Sequence, residues 1–343
     1  MKNKLWRITL DTNPEDCNLN CIMCEEHSPY SNFKQKLFEK TGIKFRRMPK
    51  EWIEPIFQEA KQIRVKEIIP STMGEPLLYK HIDLFFDLAK KYNIKINLTT
   101  NGTFPKKTVQ EWANLIIPVT SDTKISLNGA TKQTAEKIMT GLSFDKQIKN
   151  IREFVAFRNH YFKKTGYYSR ITLQLTFMQN NMHELPEIVK LAAKLGIDRV
   201  KGHHLWTHFD EIKDLSFKKD EKSMKEWNKI IDLAYEAAEK YRKPNGQKIL
   251  FEQIDYLKLQ EKTEVPYDYD CPFLEKELWI SATGKISPCC APDEQRNNLG
   301  DFGTYPETSI SDVLKSEIYK NLVKNYKQHP LCKVCVMRKP VKL

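Results

Sequence analysis

The stretch that decides the fold is Cys17-Asn18-Leu19-Asn20-Cys21-Ile22-Met23-Cys24, in which three cysteines have a C-x3-C-x2-C spacing. It follows a short β-rich run at residues 5–12. Thiolates are the soft ligands that hold iron–sulfur clusters. Three of them leave one iron of a 4Fe-4S cube without a protein ligand, so another molecule can bind there. We therefore interpret the rest of the chain as a scaffold around that open iron.

The composition indicates an α/β protein without a membrane span. The chain has 343 residues, 40% of them hydrophobic, which suits a large unit with a smaller one appended, or two ordinary domains. We find no run of apolar residues long enough for a membrane span and no signal-peptide pattern, so we expect a cytoplasmic location. In that reducing compartment, clustered cysteines indicate metal ligands rather than disulfides.

The charge balance leaves the partner open. The net charge is +12, from 56 basic and 44 acidic residues. Such an excess can indicate an anionic partner, for example a phosphorylated small molecule, an acidic peptide or nucleic acid. It can equally belong to a solvated, lysine-rich surface. The lysines are scattered and form no basic and aromatic stripe, so nucleic acid is not the expected partner.

Strand and helix patterns alternate between residues 5 and 240. We predict strands at 5–12, 66–71, 95–102, 124–129, 170–178 and 199–206, and helical segments at 50–64, 80–92, 107–115, 131–164, 183–195 and 220–240. Six such units predict parallel strands with right-handed crossovers. Since a closed barrel needs eight units, the predicted fold class is α/β, a partial (β/α)6 TIM-like barrel. The alternation then stops, so we place this barrel at 1–248 and a small cysteine-bearing domain at 249–343.

In parallel α/β folds the reactive site lies at the carboxyl ends of the strands. The side chains that follow the predicted strands are cysteines, small polar residues and histidines, so we expect them at one shared mouth. In chain order they are Cys17, Cys21, Cys24, Gly74, Glu75, Pro76, Thr100, Asn101, Gly102, Ser126, Asn128, His203, His204, Trp206 and His208.

Four features in this order resemble the radical S-adenosylmethionine (radical SAM) enzymes. They are the C-x3-C-x2-C motif, Gly-Glu-Pro at 74–76, Thr-Asn-Gly at 100–102 and Ile-Ser-Leu-Asn-Gly at 125–129. The resemblance covers roughly residues 5–210. It implies that Cys17, Cys21 and Cys24 hold a 4Fe-4S cluster whose fourth iron chelates S-adenosylmethionine. It also implies reductive cleavage of that cofactor to a 5′-deoxyadenosyl radical, which abstracts a hydrogen atom from the substrate.

The resemblance also implies cofactor contacts. Gly74, Glu75 and Pro76 match the loop that binds the methionine amino group, where a carboxylate suits an ammonium. Ser126 and Asn128 match the position that hydrogen-bonds the ribose hydroxyls.

Three further positions complete the cofactor set. Thr100 and Asn101 end the third strand and are included in it. Met23 departs from the family, which often has an aromatic residue near the adenine, and Met73 replaces a glycine of the loop motif.

A second cysteine group follows residue 249. Cys271, Cys289, Cys332 and Cys335 resemble the SPASM auxiliary-cluster domains, with G-x4-C at 284–289 and C-x2-C at 332–335. No cysteine follows Cys335, so the group resembles the shortened "twitch" version, with one auxiliary 4Fe-4S cluster. Four thiolates would ligate that cluster fully, which suggests electron transfer rather than substrate binding.

Alternatives remain for both cysteine groups. Zinc could bind the first, with His27 as fourth ligand, or the four cysteines of the second. Cys290 is left over as a spare ligand, a structural thiol or a hydrogen-atom donor. His203 and His204 are candidate substrate contacts, or else packed or solvated side chains. Because strand side chains alternate, at most one of that pair points inward.

The favoured function is oxidation of a polar small molecule such as a sugar or cyclitol, with an electron passing to the auxiliary cluster. This rests on analogy with single-cluster aminocyclitol dehydrogenases. The alternative is radical modification of a peptide, by crosslinking or by epimerisation with Cys290 as hydrogen donor. A third hypothesis is a non-catalytic, metal-stabilised binding protein. For either enzyme we expect a reductant such as flavodoxin or ferredoxin.

Overall fold

Nine strands form one sheet in the computed structural model, which describes residues 5–252, 254–257, 265–291, 293–335 and 337–340. They are β1 Arg7–Leu10, β2 Glu67–Ile69, β3 Lys95–Thr100, β4 Thr120–Ser126, β5 Arg170–Phe177, β6 Arg199–His204, β7 Leu250–Glu252, β8 Glu277–Ile280 and β9 Ile286–Ser287. Their order is β9-β8-β1-β2-β3-β4-β5-β6-β7. Each neighbouring pair is parallel except β8 with β9. The predicted parallel α/β fold with an open barrel is therefore confirmed.

The helices connect these strands. They are α1 Phe33–Thr41, α2 Lys50–Gln62, α3 Ile82–Tyr92, α4 Val109–Ile116, α5 Lys132–Ile138, α6 Phe144–Thr165, α7 Leu185–Leu195, α8 Glu221–Lys240, α9 Asp293–Arg296, α10 Ile310–Lys315, α11 Glu317–Asn325 and α12 Pro330–Lys333. The helical region predicted at 131–164 is two helices, separated by the short strand Met139–Thr140. Within the described residues, no helix is both long and apolar enough to cross a bilayer.

The two faces of the sheet differ in polarity because strand side chains alternate. The face covered by the helices is apolar, and side chains such as Ile8, Ile96 and Ile171 have no exposed surface. The opposite face lines the inside of the open barrel and carries polar side chains. Among them are Arg7, Thr9, Glu67, Asn97, Asp122, Lys124, Gln174 and Glu277. The barrel therefore has a polar interior that opens at the carboxyl ends of its strands.

The C-terminal region contributes the strand that lies beside β1 in this sheet. β8 pairs in parallel with β1, in the register that joins Leu10 to Ile280. The backbone N–H of Asp11 donates to the Ile280 carbonyl at 2.9 Å. The Arg7 guanidinium bridges Glu67 at 2.6 Å and Glu277 at 3.3 Å. The division at 248/249 is a proposal, under which the second part supplies three strands of the sheet, β7, β8 and β9.

A buried ion pair joins α6 to the start of β6. Arg158 donates to the Asp198 carboxylate at 2.5 Å and to the Gly196 carbonyl at 3.0 Å. Lys243 lies 2.9 Å from the same carboxylate. Burial opposes the charge, but Arg158, Tyr168 and Lys243 outweigh it and lower the pKa of Asp198.

We expect Asp198→Ala to reduce the free energy of unfolding by about 3–5 kcal/mol, because it leaves two buried cations without their partner. Urea unfolding followed by circular dichroism measures this loss. The control Glu153→Ala removes an exposed pair with Lys149 (3.9 Å) and should change little. Equal losses in the two variants would contradict this account.

Candidate functional site

The first cysteine group lines a cavity of about 420 Å³ at the carboxyl ends of the strands. Its loop is fixed locally: Asn20–Cys21 pairs with Met139–Thr140, and the Cys24 N–H donates to the Cys21 carbonyl at 3.0 Å. Burial raises the pKa of Cys17 to about 11 and also raises the pKa values of Cys21 and Cys24. These thiols therefore stay protonated at neutral pH in the absence of a cation. A bound metal would displace their protons, because cysteine binds metals as the thiolate.

The loop after β2 packs directly against the residues before Cys17. Gly74 has a φ of +74°, and a Cβ there would lie 2.4 Å from the Asn13 carbonyl oxygen. The Glu75 N–H donates to the Asp16 carbonyl at 2.7 Å, and the Asn13 amide donates to the Glu75 carbonyl at 2.9 Å. Only glycine at position 74 allows this approach.

The Glu75 carboxylate joins three segments of the site. It accepts hydrogen bonds from the Thr100 hydroxyl at 2.8 Å and the Asn101 N–H at 2.7 Å. The Asn101 amide in turn donates to Asn18 in the cysteine loop at 2.9 Å. Burial raises the pKa of Glu75 to about 7.

The structure brings most of the expected cofactor contacts to one cavity. The lining includes Met23, Gly74, Glu75, Thr100, Asn101, Ser126 and Asn128, together with Cys17, Cys21 and Cys24. The Asn128 side-chain oxygen accepts from the Thr176 N–H at 2.8 Å, which ties β4 to β5. Pro76 is buried in the short 3-10 helix Pro76–Leu78 and is not among the lining residues.

The two candidate histidines of β6 point to opposite sides, as strand alternation requires. His203 lines the cavity, and its side chain is accessible there. Because the surrounding protein displaces bulk water from the ring, the pKa of His203 is lowered to about 4. The His204 ring packs 4.7 Å from that of Trp227 and 5.5 Å from that of Phe177, outside the lining residues. The geometry thus places His203, and not His204, where it can contact a substrate.

Four cysteines of the second group lie together outside this cavity. They are Cys271, Cys289, Cys332 and Cys335. Burial raises the pKa of Cys332 to about 12, and charge repulsion from the other three adds to the shift. Arg338 donates to the Cys332 carbonyl at 3.2 Å and to the Tyr269 carbonyl at 2.6 Å, which holds this part of the chain in place.

Cys290 differs from its four neighbours because it lines the central cavity, with Trp279 and Arg296 beside it. The first cysteine group and Cys290 therefore line the same cavity. Burial raises the pKa of Cys290.

Arg46 lines the cavity but was not predicted from the sequence. It donates to Glu15 and to Glu26, each at 2.6 Å, and so fastens the segment before α2 to the cysteine loop. No local pattern marks Arg46, because its partners are 20 or more positions away. His208, which was expected at the mouth, lines the cavity and lies 3.8 Å from Glu25.

The two cysteine groups offer donor sets that fit iron–sulfur clusters, since thiolates are the ligands that hold such clusters. The first group presents its three thiols to the central cavity, and the second gathers four outside it.

Comparison with known families settles the class of protein. The model of the Radical SAM superfamily matches residues 14–192, and that of the SPASM iron–sulfur cluster-binding domain matches 271–336. This chain belongs to the radical SAM superfamily. As a radical SAM protein it is an enzyme that uses S-adenosylmethionine and iron–sulfur clusters, so the expected family and cofactors are confirmed. No curated protein matches the sequence.

Solved structures of radical SAM enzymes share the fold. Streptococcus suis SuiB bound to S-adenosylmethionine has 18% sequence identity and a TM-score of 0.69, over 97% of this chain and 72% of that chain. The enzyme anSMEcpe with bound AdoMet and a Cp18Cys peptide has 17% identity and a TM-score of 0.62, over 96% of this chain and 86% of that chain. At this level of identity the similarity shows the fold alone.

We expect Gly74→Ala to weaken binding of S-adenosylmethionine about tenfold or more, because the added methyl group displaces the loop from the cysteine segment. Equilibrium dialysis of the reconstituted enzyme measures this affinity. Gly42→Ala is the matched control: its φ is +69°, but nothing lies within 4 Å of a Cβ there. A similar loss in both variants would show that backbone strain, rather than close approach, is responsible.

Proposed function

We propose that Cys17, Cys21 and Cys24 hold the 4Fe-4S cluster that binds S-adenosylmethionine. We propose in addition that Cys271, Cys289, Cys332 and Cys335 hold one auxiliary 4Fe-4S cluster. When bound, the first cluster and its cofactor supply the 5′-deoxyadenosyl radical that takes a hydrogen atom from a substrate C–H bond. The residues of the loop after β2 and of the ends of β3 and β4 orient that cofactor.

The observation that carries the proposed reaction is that Cys290 lines the central cavity, whereas the four cysteines of the neighbouring set do not. A thiol at this position can return a hydrogen atom to a substrate carbon radical. We therefore propose that the enzyme inverts a stereocentre: one hydrogen leaves with 5′-deoxyadenosine, and the Cys290 S–H supplies another to the opposite face. One electron from an external reductant and one proton then restore the thiol.

The polar lining of the cavity supports a polar small molecule, such as a sugar or cyclitol, as substrate. Gln174, Thr176 and His203 face it with amide, hydroxyl and imidazole groups. With a pKa of about 4, His203 is neutral at pH 7 and can both donate and accept hydrogen bonds. These groups match the hydroxyl and amino groups of such a substrate.

Two alternatives have specific support. One is oxidation of the substrate, the outcome favoured by the sequence. Its support is that Cys289, a proposed ligand of the auxiliary cluster, directly precedes cavity-lining Cys290. A peptide substrate is supported by the structural relatives, since SuiB is bound to its precursor peptide SuiA in one structure and anSMEcpe holds a peptide in another.

The setting of the enzyme is also a proposal. All eight cysteines are unpaired, which suits a reducing compartment such as the cytoplasm. We propose that a flavodoxin or ferredoxin supplies the electrons there.

Turnover in deuterium oxide should distinguish the reactions. The reconstituted enzyme, given S-adenosylmethionine, dithionite and a panel of sugars, cyclitols and their phosphates, should produce an inverted product with one solvent deuterium. Cys290→Ser should still form 5′-deoxyadenosine but no inverted product. Mass spectrometry of product and nucleoside measures both.

A product that has lost two hydrogens and carries no solvent deuterium would instead establish oxidation. Deuterium in an inverted product of the Cys290→Ser variant would rule out Cys290 as the donor. If the enzyme turns over peptides in a parallel panel and none of the small molecules, the substrate is a peptide and the proposed substrate class is wrong.

Metal content tests the two cysteine sets. After anaerobic reconstitution we expect about eight irons per chain, since each cube contains four. Cys17→Ala and Cys271→Ala should each lose about four, whereas Cys290→Ala should lose none. Iron, sulfide and zinc assays check this, and zinc in place of iron at either set would contradict the assignment.

A further inference from the structure

A second cavity, of about 230 Å³, lies beside the central one. The two share Asp11, Arg46 and Arg296, so they meet at these side chains. One wall of the second cavity is α1 and the residues just after it. The opposite wall is the turn at 281–285 between β8 and β9. We call this second cavity the side groove.

Most of the charged side chains that line the side groove are cations. Its charged members are Lys40, Arg46, Lys285 and Arg296, against one carboxylate, Asp11. That carboxylate already accepts hydrogen bonds from the Thr72 hydroxyl at 2.5 Å and the Met73 N–H at 3.3 Å. It is therefore committed to the loop after β2.

The cations differ in how far the protein neutralises them. Arg46 is held by two glutamates, as described above. The ammonium groups of Lys40 and Lys285 are exposed, and they make no hydrogen bond or ion pair with any residue of the described ranges. These two lysines are consequently available to a ligand.

The turn that carries Lys285 is rigid. Gly284 has a φ of +87°, and a Cβ there would lie 2.2 Å from the Tyr305 carbonyl oxygen. The Ser281 hydroxyl oxygen accepts from the Lys285 N–H at 3.0 Å, and the Tyr305 N–H donates to the Gly284 carbonyl at 2.8 Å. The backbone of Lys285 is thus positioned before a ligand arrives, which reduces the entropy lost on binding.

We propose that the side groove binds a phosphate or diphosphate group of the substrate, while the reacting carbon of the same molecule lies in the central cavity. This rests on the proposed reaction of a polar small molecule and narrows its substrate to a phosphate ester. Arg296 lines both cavities and adds positive charge where they meet. Lys40 and Lys285 add point charges, and the net charge of +12 attracts such a ligand.

Calorimetric titration of the reconstituted enzyme with pyrophosphate tests this site without turnover. We expect saturable binding, weakened about tenfold or more in the double variant Lys40→Gln/Lys285→Gln, because two charged contacts are lost. Affinity should also depend less on salt in that variant. Lys229→Gln, an exposed lysine on α8, is the matched control and should bind as the wild type does.

Absence of saturable binding, or equal affinity in the double variant, would overturn the proposal. Tighter binding of a glutamate-rich peptide than of pyrophosphate, at the same salt concentration, would reassign the side groove to acidic peptides. Because the titration involves no radical step, its failure leaves hydrogen return by Cys290 standing. Conversely, if the deuterium experiment shows no inversion, the proposal that the side groove binds phosphate is unaffected.

Discussion

The rest of the structure depends on the parallel pairing of β1 with β8. These strands lie 270 positions apart in the chain, yet their backbone ladder and the contacts of Arg7 with Glu277 join them side by side. β1 leads into the loop of Cys17, and the β8–β9 hairpin leads into Cys289 and Cys290. One set of hydrogen bonds therefore holds side by side the two segments that lead into the cysteine groups, and Cys290 joins the first group in the lining of the central cavity.

Much of the barrel could be predicted because its signals are local. Hydrophobic residues recur about every two positions in strands and about every 3.6 positions in helices, so both kinds of element can be recognised in the sequence. Six alternating units then predict parallel strands. The cysteine spacing and the Gly-Glu-Pro loop are likewise contiguous in sequence. Alternation along β6 predicted that at most one of His203 and His204 points inward, although which of the two does so depends on register.

The remaining features come from contacts between distant segments. The parallel pairing of β8 with β1 could not be predicted from either strand, since a four-residue strand has many possible partners. Arg46 and Glu26 are 20 positions apart, and only the folded chain brings them together. The structure describes all of α1, and none of its side chains is buried, so this helix contributes nothing to the core, and the sequence did not predict it. The side groove is formed by segments that are far apart in the chain, so it could not be predicted from the sequence.

The position of β8 also limits how this protein could be shortened or recombined. Cutting the chain after the last barrel helix would remove β8 and leave β1 as a bare edge, with a row of unpaired N–H and C=O groups. Exposed edges of this kind invite pairing with other chains and aggregation. A different C-terminal region could replace the present one only if it supplied its own strand at this edge. The auxiliary region is thus a structural part of the barrel, and in evolution the two would have to change together.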